Sequence, residues 1–173
     1  AIGVTVEAEL GHVGGAEGSS EAAEDKGLFT DPKQAEDFVL RTQVDALAVA
    51  IGSAHGLYKA KPQLDFARLS EIRQAVGVPL VLHGGSGIPD DDFRRAIQLG
   101  ISKINVYTEM AQIACRRIRE IMERDPSFIS FPDLLIAARE AMRDLVMEKI
   151  AVFGAKDVCA APNSCASCPG CAE

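Results

Sequence analysis

The sequence predicts an α/β fold of four strand–helix units followed by terminal helices. Short apolar runs alternate along the chain with segments whose apolar residues recur at helical spacing. The runs at residues 46–51 and 78–83 have the length and composition of strands buried in a parallel sheet. A complete (β/α)8 TIM barrel takes about 250 residues, so four units predict the C-terminal half of such a barrel.

The four strands follow from local patterns. Residues 3–10 alternate between apolar and polar side chains, which indicates a first strand with one covered face. Residues 46–51, 78–83 and 101–106 are predicted as the second, third and fourth strands. The segment 11–27, rich in Gly, Ser and Glu, is expected to be a mobile loop.

The helices carry recognisable end signals. Pro32 follows Asp31 at the first helix start, where proline is tolerated, and Gly100 ends the third helix. The last helix is expected to bury an apolar face formed by Leu134, Leu135, Ala138, Met142, Leu145 and Val146. The predicted helices span residues 34–42, 66–76, 91–99, 108–123 and 131–151.

An open doubly wound sheet is the alternative fold. That fold predicts a GxGxxG nucleotide-binding turn after the first strand, and the segment 11–27 lacks this pattern. The half-barrel is therefore the favoured prediction.

Composition limits the classes of partner. The 173 residues are 47% hydrophobic with a mean hydropathy of +0.08, as expected of a globular chain. A net charge of −7 argues against a nucleic-acid or anionic-membrane surface, which needs basic patches. No apolar stretch reaches the roughly 20 residues of a membrane span, and no secretory signal is recognised. We expect a cytoplasmic protein.

The start of the chain predicts a missing segment. Residue 1 is alanine, and the sequence enters a predicted strand almost at once. We expect a piece of a longer protein, with processing or an artificial boundary as the alternative. Residues 1–154 are predicted to form the half-barrel domain, and residues 155–173 a flexible, cysteine-rich tail.

His55 and His83 are the leading candidates for chemistry. Each follows an apolar strand and precedes a glycine, and barrels keep their catalytic residues at such strand ends. Imidazole is the commonest metal ligand, so two imidazoles from separate strands predict one shared divalent metal. Hydrogen-bonded core or surface histidines are the alternative.

Glu7 and Glu9 lie in the first predicted strand. One of the two carboxylates is expected to be buried, where it needs a partner or a metal. Glu9 is nearer the strand end and is the preferred functional residue, with a structural salt bridge as the alternative.

The sequence Gly84-Gly85-Ser86-Gly87 follows His83 directly. Successive backbone N–H groups in such a loop form an anion site, and barrels often bind phosphate near their last strands. Asn105 and Thr108 are candidate side-chain donors to the same phosphate, with helix capping as the alternative for Asn105.

The cysteines predict no dedicated chemistry. Cys115 lies within a helix and is expected to serve packing. Disulfides are not expected in a reducing compartment. The tail contains Cys159 and the C-x2-C-x2-C run, which lacks the fourth cysteine of a complete iron–sulfur pattern. Adventitious or structural metal binding by this tail is the alternative.

In these motifs the chain resembles the class II, metal-dependent ketose-bisphosphate aldolases, which include fructose- and tagatose-1,6-bisphosphate aldolases. The resemblance extends from residue 3 to about residue 154. It rests on VTVEAELGHVGGAEG, TDPKQAEDFV, DALAVAIGSAHGLYK, LDFARLSEIRQAVGVPLVLHGGSGIP, AIQLGISKINVYTEM and AAREAMRDLV.

The resemblance implies roles for individual residues. His55 and His83 match two of three zinc-binding histidines, and Glu9 matches a carboxylate linked to a second metal position. Glu17 matches a loop glutamate that transfers a proton. Lys59 lies beside a region for a monovalent cation and phosphate. The residues matching the segments that hold the dihydroxyacetone phosphate portion are Gly56, Gly84, Gly85, Ser86, Asn105, Val106, Tyr107 and Thr108.

The implied reaction is reversible aldol cleavage of a ketose 1,6-bisphosphate to dihydroxyacetone phosphate and glyceraldehyde 3-phosphate. Zn2+ is the implied cofactor and a homo-oligomer the implied full-length assembly. The third zinc histidine and the catalytic aspartate belong to an earlier strand that this chain lacks. Only Glu17 remains where the family often has an acidic pair. Tyr107 stands where many fructose-specific members have aspartate, which permits a tagatose substrate.

Two other functions stay open. A metal-free, phosphate-binding barrel lyase or isomerase would use the glycine-rich loop without needing both histidines. An incomplete or non-catalytic half-barrel subunit would lack the base and the third ligand. The open edges of the first and fourth strands predict that the isolated chain associates.

Overall fold

The structure is a computed structural model that describes residues 3–14, 29–56 and 62–156. Strand and helix alternate as predicted. The strands are β1 (Glu7–Leu10), β2 (Ala46–Val49), β3 (Leu80–Leu82) and β4 (Ile101–Ile104). The helices are α1 (Pro32–Thr42), α2 (Phe66–Ala75), α3 (Asp90–Gln98), α4 (Thr108–Arg124) and α5 (Phe131–Val152). None of these helices is long and apolar enough to cross a membrane.

The four strands form a parallel sheet in the order β1-β2-β3-β4. This confirms the α/β class with a parallel sheet. Because all strands run the same way, their carboxyl ends meet at one edge of the sheet. The residues that follow β2, β3 and β4 are thereby brought together at that edge.

The register between β3 and β4 is shifted. Leu80 pairs with Ile101, whereas the next residue, Val81, pairs with Lys103. Ser102 is the extra residue of this irregularity. A one-residue shift moves the following side chains to the other face of the sheet, so Ile104 shares the face of Leu82.

The apolar core lies on the helix-covered face of the sheet. Leu47, Val49, Leu80 and Leu82 are fully buried there, as is Phe93 of α3. Burying one such side chain contributes about 1.5–3 kcal/mol relative to leaving it exposed. The core therefore fixes the strands, and with them the positions of the loops at their carboxyl ends.

Local signals start the helices that cover this core. Asp31 accepts hydrogen bonds from the backbone N–H groups of Lys33 and Gln34, and Pro32 occupies the first turn of α1. The Asp65 side chain accepts from Arg68 N at the start of α2. These caps satisfy backbone donors that a helix leaves unpaired at its first turn.

The first strand is shorter than the predicted 3–10 segment. Val4 and Val6 are 68% and 53% exposed at the open edge of the sheet. Among the described residues before Glu7, the Val6 backbone hydrogen-bonds to Asp45 and Ala46 at the start of β2. The ladder therefore begins at Glu7.

The predicted apolar face of α5 is wrong at two of its residues. Leu135 and Val146 are 51% and 40% exposed, whereas Ala138 is buried. The reason is that α5 packs mainly along α4, with a smaller contact to α3. Among the described residues, only one narrow side of α5 is covered.

Candidate active site

His55 and His83 lie side by side at the carboxyl edge of the sheet. Their ring centroids are 6.0 Å apart and their planes are tilted by 54°. His55 follows β2 and His83 directly follows β3, so neighbouring strands deliver the two rings. The proximity expected from the sequence is present.

Glycine allows the two histidine loops to approach. Gly84 has a φ of 66°, in the left-handed region. A Cβ at Gly84 would collide with the backbone carbonyl of Ala54. The loop carrying His55 is further fixed by its backbone N–H, which donates to the carbonyl of Gly14 at 2.7 Å.

Both strand glutamates reach His83. Glu9 Oε2 lies 2.6 Å from His83 Nδ1, and Glu7 Oε1 lies 3.2 Å from His83 Nε2. Neither carboxylate is buried, with side-chain exposures of 29% for Glu7 and 36% for Glu9. The expectation of one buried carboxylate was wrong because residues two apart on a strand share a face. That face of β1 is open among the described residues.

A lysine completes the polar cluster. Lys103 Nζ lies 2.9 Å from Glu7 Oε2 and 2.9 Å from Asn105 Oδ1. Burial by itself would raise the pKa of Glu7. Hydrogen bonds and Coulombic interactions with Lys103 and His83 outweigh burial and lower this pKa below its usual value. Glu7 is therefore held as a carboxylate between the two groups.

A cavity of about 390 Å³ opens beside His55. All of the residues predicted to hold the substrate line it, together with His55 and Ile104. Gly85 is needed here, because a Cβ at this position would lie 2.8 Å from the carbonyl oxygen of Asn105. The predicted residues that line the cavity are Gly56, Gly84, Gly85, Ser86, Asn105, Val106, Tyr107 and Thr108.

The amino end of α4 faces this cavity. Thr108, the first residue of α4, is buried, and the backbone N–H of Glu109 donates to Ser86 Oγ at 3.1 Å. Lys149 of α5 lies 3.3 Å from Glu109 Oε1 and fixes this helix end. Free N–H groups and the helix dipole make such an end suitable for a phosphate.

The donor set fits a divalent metal in part. His55 and His83 supply two imidazoles, and Glu9 supplies a carboxylate that contacts His83. These are ligand types that zinc takes. Within residues 3–14, 29–56 and 62–156, no group of three or more His, Cys, Asp or Glu side chains forms a complete metal site. At least one further ligand would have to come from outside these ranges.

Several predicted features cannot be located. Glu17 and the rest of the predicted mobile loop from residue 15 onward lie outside the described residues, as do Lys59 and the cysteines from Cys159 to Cys171. Cys115 is described and is exposed on α4, so its predicted packing role is wrong.

Lys103 and the contacts of Glu7 were missed by sequence reasoning. Simple alternation along β4 would place Lys103 on the same side as the buried Ile101. The shifted register instead aligns Lys103 with Val81 and turns it toward the site. The sequence offers no clear signal for that irregularity.

Comparison with known proteins agrees with this arrangement. The family model described as class-II fructose-bisphosphate aldolase matches residues 1–158. A fructose-bisphosphate aldolase of Geobacillus stearothermophilus is 45% identical over 154 residues, which are 89% of this chain and 53% of that protein. The chain thus spans about half the length of this relative.

Two solved structures show the same relationship. The YdjI aldolase from Escherichia coli is 44% identical, with a TM-score of 0.71 over 88% of this chain and 50% of that one. A candidate fructose-1,6-bisphosphate aldolase from Coccidioides immitis is 30% identical, with a TM-score of 0.73 over 88% of this chain and 53% of that one.

Proposed function

This chain belongs to the class II fructose-bisphosphate aldolase family, and we propose that it supplies the C-terminal half of a barrel that cleaves a ketose 1,6-bisphosphate. The products are dihydroxyacetone phosphate and glyceraldehyde 3-phosphate. One observation carries the proposal. The ring centroids of His55 and His83 lie 6.0 Å apart, beside a glycine-lined cavity at the amino end of α4.

The curvature of the sheet supports a closed barrel. In a flat sheet, three strand spacings would separate β1 from β4 by about 14 Å. Glu7 of β1 and Lys103 of β4 nevertheless form an ion pair of 2.9 Å across the two strands between them. A sheet curved toward this face would bring two such side chains together, and their contact supports a barrel-like arrangement. We assign residues 1–154 to the half-barrel domain and residues 155–173 to a separate tail.

His55 and His83, with Glu9 beside them, would hold the Zn2+ ion. When bound, this metal supplies Lewis-acid stabilisation of the negative charge that develops on the substrate oxygens. Carboxylates lie at both ring nitrogens of His83, Glu9 at Nδ1 and Glu7 at Nε2, so a bound metal would replace one of these two contacts. A monovalent cation near Lys59 is a further part of the proposal.

The chain's own residues position the substrate. The loop from Gly84 to Ser86 and the amino end of α4 would bind a substrate phosphate through the dipole of α4 and the Ser86 hydroxyl. The Ser86 oxygen already accepts from Glu109 N, so its hydroxyl proton remains available to a phosphate oxygen. Fixing the phosphate aligns the reacting carbon with the metal-binding histidines.

Proton transfer is assigned to Glu17 on the loop that follows β1. A carboxylate can take the proton from the dihydroxyacetone phosphate carbon and return it in the reverse direction. A loop in this place also excludes water when it covers the substrate.

Tyr107 is the residue proposed to distinguish sugar epimers. It is 53% exposed at the edge of the cavity, at the start of α4. Fructose and tagatose 1,6-bisphosphates are epimers that differ only in the configuration at one carbon, and both are proposed substrates. We propose a cytoplasmic homo-oligomer as the working form, without nucleic-acid or membrane partners.

The experiment uses the full-length protein with each bisphosphate. Release of dihydroxyacetone phosphate is measured before metal removal, after chelation and after Zn2+ is restored. We expect cleavage that disappears with the metal and returns with zinc. A metal-free lyase or isomerase predicts activity that survives chelation, and that result would overturn the proposal.

A further inference from the structure

The side-chain amide of Asn105 has one chemically allowed orientation. Lys103 Nζ lies 2.9 Å from the Asn105 side-chain oxygen. An ammonium group has three donors and no acceptor, so the amide atom facing it must be the oxygen. The amide nitrogen, with its two donors, is consequently turned away from Lys103. Asn105 lines the cavity beside His55.

Lys103 is itself held in place. Glu7 Oε2 lies 2.9 Å from its ammonium, and Glu7 Oε1 lies 3.2 Å from the same ammonium. The same carboxylate contacts His83 Nε2 at 3.2 Å. Glu7 thus joins the metal-binding histidine to the lysine that orients Asn105.

The register shift of β4 brings this arrangement about. Val81 is paired with Lys103, and the Asn105 backbone N–H donates to the carbonyl of Leu82 at 3.0 Å. In a regular register Ser102 would pair with Val81 and Lys103 with Leu82, which would place Lys103 on the side of the apolar core. Strand irregularities that redirect a side chain are over-represented next to active sites.

We infer that Lys103 is a positioning residue: held by Glu7, it fixes the amide of Asn105 so that its N–H groups donate to the oxygens of the bound sugar phosphate. The inference rests on the proposed aldolase function for the identity of that ligand. Lys103 need not touch the substrate. The Lys103 side chain is 53% exposed, so its ion pair with Glu7 contributes little to the free energy of unfolding. The effect of this ion pair is to orient Lys103 toward Asn105.

The main test compares Lys103→Met with Asn105→Ala in the full-length, zinc-loaded protein. Removing a well-placed donor to developing negative charge costs about 100- to 1000-fold in kcat, and loosening it should cost about 10- to 100-fold. We expect Lys103→Met to lower kcat in this smaller range. KM and zinc content should stay close to those of the unaltered protein.

A double-mutant cycle separates positioning from an independent role. If Lys103 acts through Asn105, the Lys103→Met/Asn105→Ala double variant is no slower than Asn105→Ala alone. Lys103→Arg keeps a donor-only cation and should recover most of kcat. Multiplied losses in the double variant, or no loss in Lys103→Met, would overturn the inference.

Arg94→Met is the matched control. It also removes a cation from an ion pair, the 2.8 Å contact with Asp91, but on the exposed surface of α3. We expect kcat to be unchanged. An equal loss of kcat in Arg94→Met and Lys103→Met would mean that the loss reflects the change in net charge and not a specific role of Lys103.

NMR provides a readout that needs no turnover. The Asn105 side-chain amide signals, identified by their absence in Asn105→Ala, should shift and exchange faster with solvent in Lys103→Met. Unchanged signals would overturn the inference. Altered signals in a protein that cleaves neither bisphosphate would support the positioning of Asn105 and overturn the aldolase proposal instead.

Discussion

The two faces of the sheet differ in what they contribute to the protein. The helix-covered face consists of fully buried aliphatic side chains such as Val49 and Leu82. The opposite face carries Glu7 in contact with both His83 and Lys103. Because strand residues alternate between faces, adjacent residues can serve entirely different purposes. Leu82 belongs to the core, whereas His83, the next residue, belongs to the site.

The substitution expected to have the largest effect on the site face of the sheet is His83→Ala. In the full-length protein we expect aldol cleavage to be abolished and zinc content to fall, because one of the two proposed imidazole ligands is lost. The free energy of unfolding of the metal-free protein should hardly change, since His83 is not part of the apolar core. Activity is measured by dihydroxyacetone phosphate release and zinc by elemental analysis. Full zinc occupancy with lost activity would favour a metal-independent role.

Leu82→Ala is the matched change on the other face. Truncating a fully buried leucine costs about 2–5 kcal/mol of unfolding free energy. Zinc content and kcat per folded molecule should stay unchanged. Urea unfolding and activity at a permissive temperature measure the two effects. A specific loss of zinc in this variant would mean that the two faces are not independent.

Gly85→Ala tests whether the glycine-rich loop of the cavity binds phosphate. The added Cβ would lie 2.8 Å from the carbonyl oxygen of Asn105 and 3.0 Å from Ile104 Cγ2. We expect the displaced loop to raise KM for the bisphosphate about tenfold, which corresponds to a loss of about 1.4 kcal/mol in the free energy of phosphate binding.

Gly77→Ala is the control for this change, because a Cβ there meets nothing within 4 Å. Steady-state kinetics with the bisphosphate should show an unchanged KM for the control. Equal KM values for both variants would contradict a role of the glycine-rich loop in phosphate binding.

The smallest expected effect is that of Asp31→Ala. This change removes the side chain that accepts from Lys33 N and Gln34 N at the start of α1. We expect a loss of about 1 kcal/mol in unfolding free energy, measured by urea titration. Kinetic constants should not move, because α1 lies on the helix side of the sheet. A change in KM would show that the packing of α1 influences substrate binding in the cavity.

Sequence patterns were sufficient for the order of the elements and for the loops that form the site. The apolar runs before His55 and His83 predicted their strands, since buried strands need continuous apolar residues. The Gly84-Gly85-Ser86 loop was recognisable because glycine permits close backbone approach. These features depend on local chemistry alone.

The remaining features depend on packing between distant elements. The ion pair of Glu7 and Lys103 requires both the curvature of the sheet and the register shift after Leu80. The exposure of Leu135 depends on which side of α5 meets α4. Neither property is encoded in hydrophobic periodicity, which reports only that some face is apolar.

The most direct test is a crystal structure of the full-length, zinc-loaded protein with anomalous data at the zinc edge. We predict one zinc ion bound by imidazole nitrogens of both His55 and His83, each at about 2.0–2.1 Å. A zinc ion bound elsewhere, or by only one of these two rings, would contradict the shared metal site on which the proposed aldol cleavage depends.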